Sequence, residues 1–279
     1  MINTLNKQKI ILWLGIIFMI LFCLAPMLWQ VLTSFKTNEA IIKIPTVYFP
    51  NLEQLTLEHY FNLGFVFLRY MFNSAFVSLI STILCVVIGA PSAYALARLN
   101  LPFKNIILSL VLVVSLFPYV LLFLGLLEIV KFFNLGNNYL SLIIPYTAIN
   151  LPLTILILRS FFLQLPKDLE DSARIDGYKT TSILWKIVLP LTLPALVTTG
   201  ILTFIFAWNE FIFALTFITR DSLQTIPIAV AKIGGSSAFE IPYGAIASAT
   251  ILGTLPLIIL VLTFQRRIVQ GITAGAIKG

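Results

Sequence analysis

The sequence predicts an all-α integral membrane protein with six transmembrane helices. Three observations predict it: an apolar composition that water cannot solvate, six long apolar blocks, and an uneven division of lysine and arginine among the segments that join them. Of the 279 residues, 59% are hydrophobic and only 10% charged, at a mean hydropathy of +1.01. A soluble domain is about half apolar and about a quarter charged, so this chain lacks the polar surface to cover itself in water. Hydrocarbon must be its main solvent.

Each block approaches or exceeds the ~20 residues that a helix needs to cross a ~30 Å hydrocarbon core. They run over 10–32, 72–97, 106–130, 139–163, 193–218 and 246–264. The first follows Lys7 and Lys9 as a signal peptide would, but it is too long, and Trp29-Gln30 offers no small-residue cleavage pattern. It stays as an uncleaved span. The second opens on Asn73 and Ser74, and the third carries Glu128 near its end, close to Lys131. Short polar stretches between blocks favour one membrane domain over the whole of 1–279. Cys23 and Cys85 both fall inside apolar blocks, without the number or spacing of a disulfide framework or zinc site, and read as packing residues.

Six spans put both termini on one side, and basic residues collect on the cytoplasmic side. With a cytoplasmic amino terminus the inside segments hold Lys7, Lys9, Arg98, Lys104, Arg159, Lys167, Arg174, Lys179, Lys186, Arg266, Arg267 and Lys278. The outside segments hold Lys36, Lys43, Arg69, Lys131, Arg220 and Lys232. Twelve against six of the total of 18 makes both termini cytoplasmic. The net charge of +7 is scattered singly between blocks, which fits membrane orientation and not a nucleic-acid surface. The longest outside segment, about 35–71, is too small for a solute-binding domain, and its His59 reads as a solvated loop residue and not a metal ligand. No phosphate loop, His-Glu-x-x-His, Cys-x-x-Cys or nucleophile elbow occurs. The expectation is therefore no catalytic residue, no metal site and no cofactor bound by this chain.

The connection between the fourth and fifth blocks, about 164–194, is too patterned to be a mere link. Pro166 followed by Asp168, Glu170 and Asp171 signals a helix start, with acidic groups where the helix dipole favours them. Ser172 and Ala173 present little side chain, so a partner surface can come close, and Gly177 can leave the helix in a left-handed turn. A second short helix is expected over 179–188, ending at Pro190. A stiff helical pair of this kind suits transmission of a push.

Asp171-Ser172-Ala173, Gly177, Ile187 and Leu189-Pro190 keep every interval of the EAA loop of ABC-importer permeases, with Asp171 for Glu and Ser172 for Ala. The chain also resembles the smaller permease of the carbohydrate-type (maltose/multiple-sugar) importers in Ser34-Phe35-Lys36, Phe72-Asn73-Ser74, the run 93–98, the run 173–177 with Arg174 and Asp176, the run 207–211 and the tail 271–279. The resemblance spans nearly the whole chain. It implies a permease in a bacterial or archaeal cytoplasmic membrane, importing a sugar by alternating access. It implies a second related permease, two cytoplasmic ATPase subunits that bind ATP and Mg2+, and an extracytoplasmic solute-binding protein. On this reading the 164–194 loop is the cytoplasmic coupling helix that docks on the ATPase.

Candidate path residues are Asn73, Ser74, Trp208, Asn209 and Glu210. A carboxylate inside an apolar run is costly and faces a cavity or a polar partner. Either Asn209 and Glu210 hydrogen-bond sugar hydroxyls with Trp208 stacked on a ring, or they build a structural network between subunits. Asn73 and Ser74 likewise either pack helices or line the path. Polyols, glycerol phosphates and other solutes remain open as substrates, although no basic residue sits mid-span to hold a phosphate. A secondary transporter would need intramembrane acids for ion coupling and would usually show internal repeats; a single such acid, Glu210, and no clear repeat argue against it.

Overall fold

The computed structural model describes residues 2–234 and 241–276, with side chains over 9–234 and 241–265. The side chains of Lys7, Arg266, Arg267 and Lys278, and those of the family-like tail at 271–279, lie outside those described. Helix α1 (Ile2–Phe35) is followed by short α2 (Asn38–Ile42) and long α3 (Glu58–Arg98). Then come α4 (Lys104–Leu116), α5 (Phe123–Phe132), α6 (Leu140–Gln164) and α7 (Lys167–Ile175). After these lie α8 (Thr180–Ile183), α9 (Leu189–Leu191), α10 (Leu193–Asn209) and α11 (Ile212–Phe217). The last are α12 (Ile226–Gly234) and α13 (Tyr243–Ala276). Among the described residues there is no β-strand, only one isolated bridge between Lys36 and Leu55.

Among the described residues four helices are long and apolar enough to cross a membrane, and the number is six if each of two bent pairs counts as one span. The block at 106–130, expected as one helix, is bent by 91° between Leu116 and Tyr119. The cause is Pro118, which has no N–H to give and drives Phe117 into the extended region (φ −70°, ψ 133°). The block at 193–218 is interrupted too, where Glu210 takes ψ 130°. Hydropathy averages over such breaks because they change backbone direction without changing composition.

The chain divides into two compact units, residues 1–67 with 230–255, and residues 68–229 with 256–279. In the first, the large apolar side chains of α1 from Ile10 to Leu28 are exposed, which only hydrocarbon or an apolar partner tolerates. The segment after α1 is not an open loop. Lys36 is 2% exposed; its ammonium donates to the Val47 carbonyl and lies 4.2 Å from the centre of the Trp29 ring. Burial pushes that ammonium below the usual lysine range. His59 lies in α3, buried, with Nε2 2.9 Å from the Lys36 carbonyl. The expectation of a solvated His59 is corrected: the ring is packed between Lys36 and Gly244, where a Cβ would come within 2.2 Å of it.

The second unit has two apolar cores. One joins Ala93, Tyr94 and Ala97 of α3 to Leu158 and Phe162 of α6, Ala173 of α7, and Ile183, Val188 and Leu189 of the segment that follows. The other gathers Val77, Leu142, Tyr146, Phe213, Phe217 and Ile228. Cys85 is buried as a packing residue, its sulfur 3.1 Å from the Thr154 hydroxyl, and neither cysteine is in a disulfide. Glu128 and Lys131 pair at 3.6 Å, both well exposed.

Candidate functional site

The loop at 164–194 is built around α7. Leu165 and Pro166 are extended (ψ 140° and 132°), so α6 ends cleanly and α7 starts in a new direction. At its other end Asp176 closes the helix and Gly177 takes φ +83°. The Tyr178 N–H donates to the Ala173 carbonyl and the Gly177 N–H to that of Arg174, both at 3.0 Å. This is a Schellman turn with glycine at the one position that needs a positive φ, as the sequence led us to expect.

The second helical piece differs from expectation. It does not stop at Pro190 but runs from α8 through a π-helical turn over Leu184–Val188 into α9. The Leu189 N–H reaches back five residues to the Leu184 carbonyl. Widening the turn just ahead of Pro190 accommodates its missing donor and its ring without breaking the helix. The turn falls at Thr192 instead, where the Thr180–Leu191 arm meets α10 at 80°.

The faces of α7 separate cleanly. Asp168, Asp171, Ser172, Arg174, Asp176 and Gly177 are exposed, and Ile175 is 88% exposed. Ala173 points the other way, buried among Tyr94, Phe162 and Ile183. Its small side chain lets the chain's own helices approach, which corrects the expectation that it faces a partner. Glu170 is three residues earlier and shares that inner face. Its carboxylate pairs with Arg98 Nε at 2.7 Å, both side chains 4% exposed, and accepts from the Tyr94 hydroxyl at 2.8 Å. Arg98 also donates to the Leu165 carbonyl at 2.6 Å. Arg174 pairs with Asp171 at 2.9 Å and lies 3.8 Å from Glu170. Beyond α7, Pro190 is exposed, Leu189 buried and Ile187 half-buried.

The membrane-level candidates are likewise tied to their own chain. Glu210 is buried where α10 gives way to α11; it accepts from the Tyr146 hydroxyl at 2.5 Å and from the N–H groups of Phe213 and Ala214 at 3.0 and 3.2 Å. It thus satisfies donors that the start of α11 would leave bare in a low-dielectric core. Trp208 is buried with its ring 5.6 Å from that of Phe204, and Asn209 is exposed, bonded to the Ile205 carbonyl. The buried Asn73 amide donates to the carbonyls of Ser222 and Gln224 and accepts from Tyr139. The Ser74 hydroxyl accepts from the Ile226 N–H. Both residues hold the turn before α12.

A cavity of about 340 Å³ lies inside the bend at Phe117, lined by Tyr119, Pro145, Asn150 and Phe206 among others. A second, of about 240 Å³, shares Asn150 and Phe206 and adds Thr199 and Thr203. Asn150 is buried, and one amide hydrogen goes to the Tyr146 carbonyl. Among the described residues no lysine or arginine lines either cavity.

Residues 85–274 match the family described as the inner membrane component of binding-protein-dependent transport systems. The chain belongs to that family. It is thus a transport subunit of the membrane and not an enzyme. The chain is 42% identical to the sulfoquinovosyl glycerol transport permease SmoH of Agrobacterium fabrum, over 92% of this chain and 89% of the relative. It is 38% identical to the trehalose/maltose permease MalG of Thermococcus litoralis over 98% of both, and 40% identical to the trehalose permease SugB of Mycobacterium tuberculosis over 92% and 93%. A bacterial ABC transporter for import of the acidic polysaccharide alginate has the same fold. Its chain superposes with a TM-score of 0.79 at 19% identity, covering 94% of this chain and 96% of that one. The family's matched region takes in α7, Asn150 and Glu210 and begins after Asn73 and Ser74.

Sequence reasoning gave no role to Tyr146 or Asn150, and took Tyr94 and Arg98 only as members of the family-like run 93–98, with Arg98 also an orienting charge. The signal was present for Arg98, an arginine ending an apolar run, with a carboxylate available in the next connection expected on the same side, 164–194. None separates Tyr146 from the other aromatics of the blocks.

Proposed function

We propose that this chain is one of two permeases of an ABC importer and carries a sugar or related glycoside across the cytoplasmic membrane by alternating access. The observation that carries the reading is end-to-end similarity to permeases named for trehalose, maltose and sulfoquinovosyl glycerol, extending over 92% or more of the chain. Each bent pair counts as one span, giving six, with both termini cytoplasmic and α7 as the coupling helix. Two ATPase subunits supply ATP and Mg2+ chemistry, a second related permease completes the pathway, and a binding protein delivers solute. The exposed outer face of α7, with Asp168, Asp171, Ser172 and the apolar tip at Ile175, supports docking on an ATPase. Cavities with aromatic walls, a buried amide and no basic side chain support a neutral sugar over a phosphorylated one.

The test is ATP hydrolysis in proteoliposomes holding the chain with its partner permease, ATPase and binding protein, challenged with sugars, glycosides, polyols and glycerol phosphates. Stimulation by a sugar or glycoside is the expected result. Stimulation only by glycerol phosphates, or failure of an ATPase to assemble with the chain, overturns it.

A further inference from the structure

Helix α7 is nine residues long and hangs between two non-helical joints, Leu165-Pro166 at one end and Gly177 at the other. Such a helix passes a displacement onward only through what its inner face grips. That face offers the methyl group of Ala173 and the carboxylate of Glu170. Two side chains from the last turns of α3 hold the carboxylate, Arg98 at 2.7 Å and Tyr94 at 2.8 Å. Arg98 reaches on to Leu165, the first joint, while Arg159 of α6 donates to the Leu96 carbonyl at 3.2 Å. The ends of α3, α6 and α7 are thereby locked together.

From this geometry we infer that Arg98, Tyr94 and Glu170 form a buried clamp that makes α3, as well as α6, follow the movement of α7. The inference rests on the importer reading and deepens it: Glu170 is a positioning residue inside the permease, not a contact for the ATPase. Stability alone does not account for the arrangement. Taking two charges out of water is costly, and a well-packed apolar pair of similar volume is commonly as stable or more so. What the charged pair adds is a fixed direction and length, since a carboxylate held by a guanidinium and a phenol cannot slide as methyl groups can.

The test replaces the pair by apolar groups of similar size, Arg98→Met with Glu170→Leu, beside the conservative single variant Arg98→Lys. Spin labels at Asn100→Cys and Ile175→Cys, with Cys23 and Cys85 replaced by serine, read the α3–α7 distance in the full chain in nanodiscs, without any partner. The expected result is a narrow distance distribution in the parent and Arg98→Lys, and a broad one in the apolar pair at unchanged melting temperature. In the assembled transporter, the apolar pair moves about tenfold less sugar per ATP hydrolysed, a coupling loss of the usual allosteric size. Equal distributions in parent and apolar pair, or an unchanged ratio of transport to hydrolysis, overturn the clamp. A parent complex that hydrolyses no ATP refutes the importer reading instead, while the distance measurement still decides the clamp.

Discussion

The hydroxyl of Tyr146 lies 2.5 Å from the carboxylate of Glu210, a residue 64 positions further along the chain, and the same carboxylate accepts the Phe213 and Ala214 amides in the first turn of α11. An acid that sequence alone offers as a sugar ligand is thus fully engaged in closing a break between two helices.

Tyr146→Phe removes one of three donors to that buried carboxylate and is expected to cost about 1.5–3 kcal/mol, the range for a hydrogen bond to a charged group. Glu210→Ala, which strands the amides of α11, costs more. Thermal unfolding in detergent measures both. A substrate ligand would instead raise the KM for transport at unchanged Tm.

Gly177 has open space where a Cβ would stand, so only its φ of +83° penalises substitution. Gly177→Asn, which tolerates the left-handed region, is expected to keep most transport, whereas Gly177→Val loses it. Immunoblots of membranes should show equal amounts of both variants. Equal transport by the two would mean that the turn is not required.

Gly244→Ala drives a methyl group into the His59 ring, which is already fixed by the Lys36 carbonyl. Overpacking of this kind costs about 1–3 kcal/mol. Adding His59→Ala should recover part of the loss, a coupling that a double-mutant cycle on thermal stability reads directly.

Asn150 and Phe206 line both the 340 Å³ and the 240 Å³ cavity. If sugar passes there, Asn150→Leu and Phe206→Ala each raise the KM for transport about tenfold, equivalent to about 1.4 kcal/mol of lost contact. Uptake by the reconstituted complex is the measurement. Unchanged KM in both would assign the sugar contacts to the partner permease.

What the sequence made legible was whatever depends on spacing along the chain. The apolar blocks predicted where α1, α3, α6 and α13 run, and the interval from Asp171 to Gly177 predicted a short helix closed by a left-handed glycine. What it hid depends on pairing across the chain or on backbone detours. Arg98 and Glu170 are separated in the chain by α4, α5 and α6, so neither the burial of the pair nor the inward aspect of Glu170 is written locally. The end of α10 at Asn209 carries no glycine or proline to announce it, since a carboxylate and a distant tyrosine do the capping. Nothing local announces the burial of Lys36, because its covers, Trp29 and Val47, are apolar residues of the kind found throughout the chain.

The corner at Thr192 gives the second unit a bell-crank. On the importer reading proposed above, a shove along 180–191 would emerge as a sideways swing of α10, because two arms bent by 80° cannot both move along their own axes. The Thr192 hydroxyl, bonded to the Val188 carbonyl at 2.8 Å, braces the elbow. The break at Glu210 lies at the far tip of the swinging arm, where the throw is greatest for a given stroke.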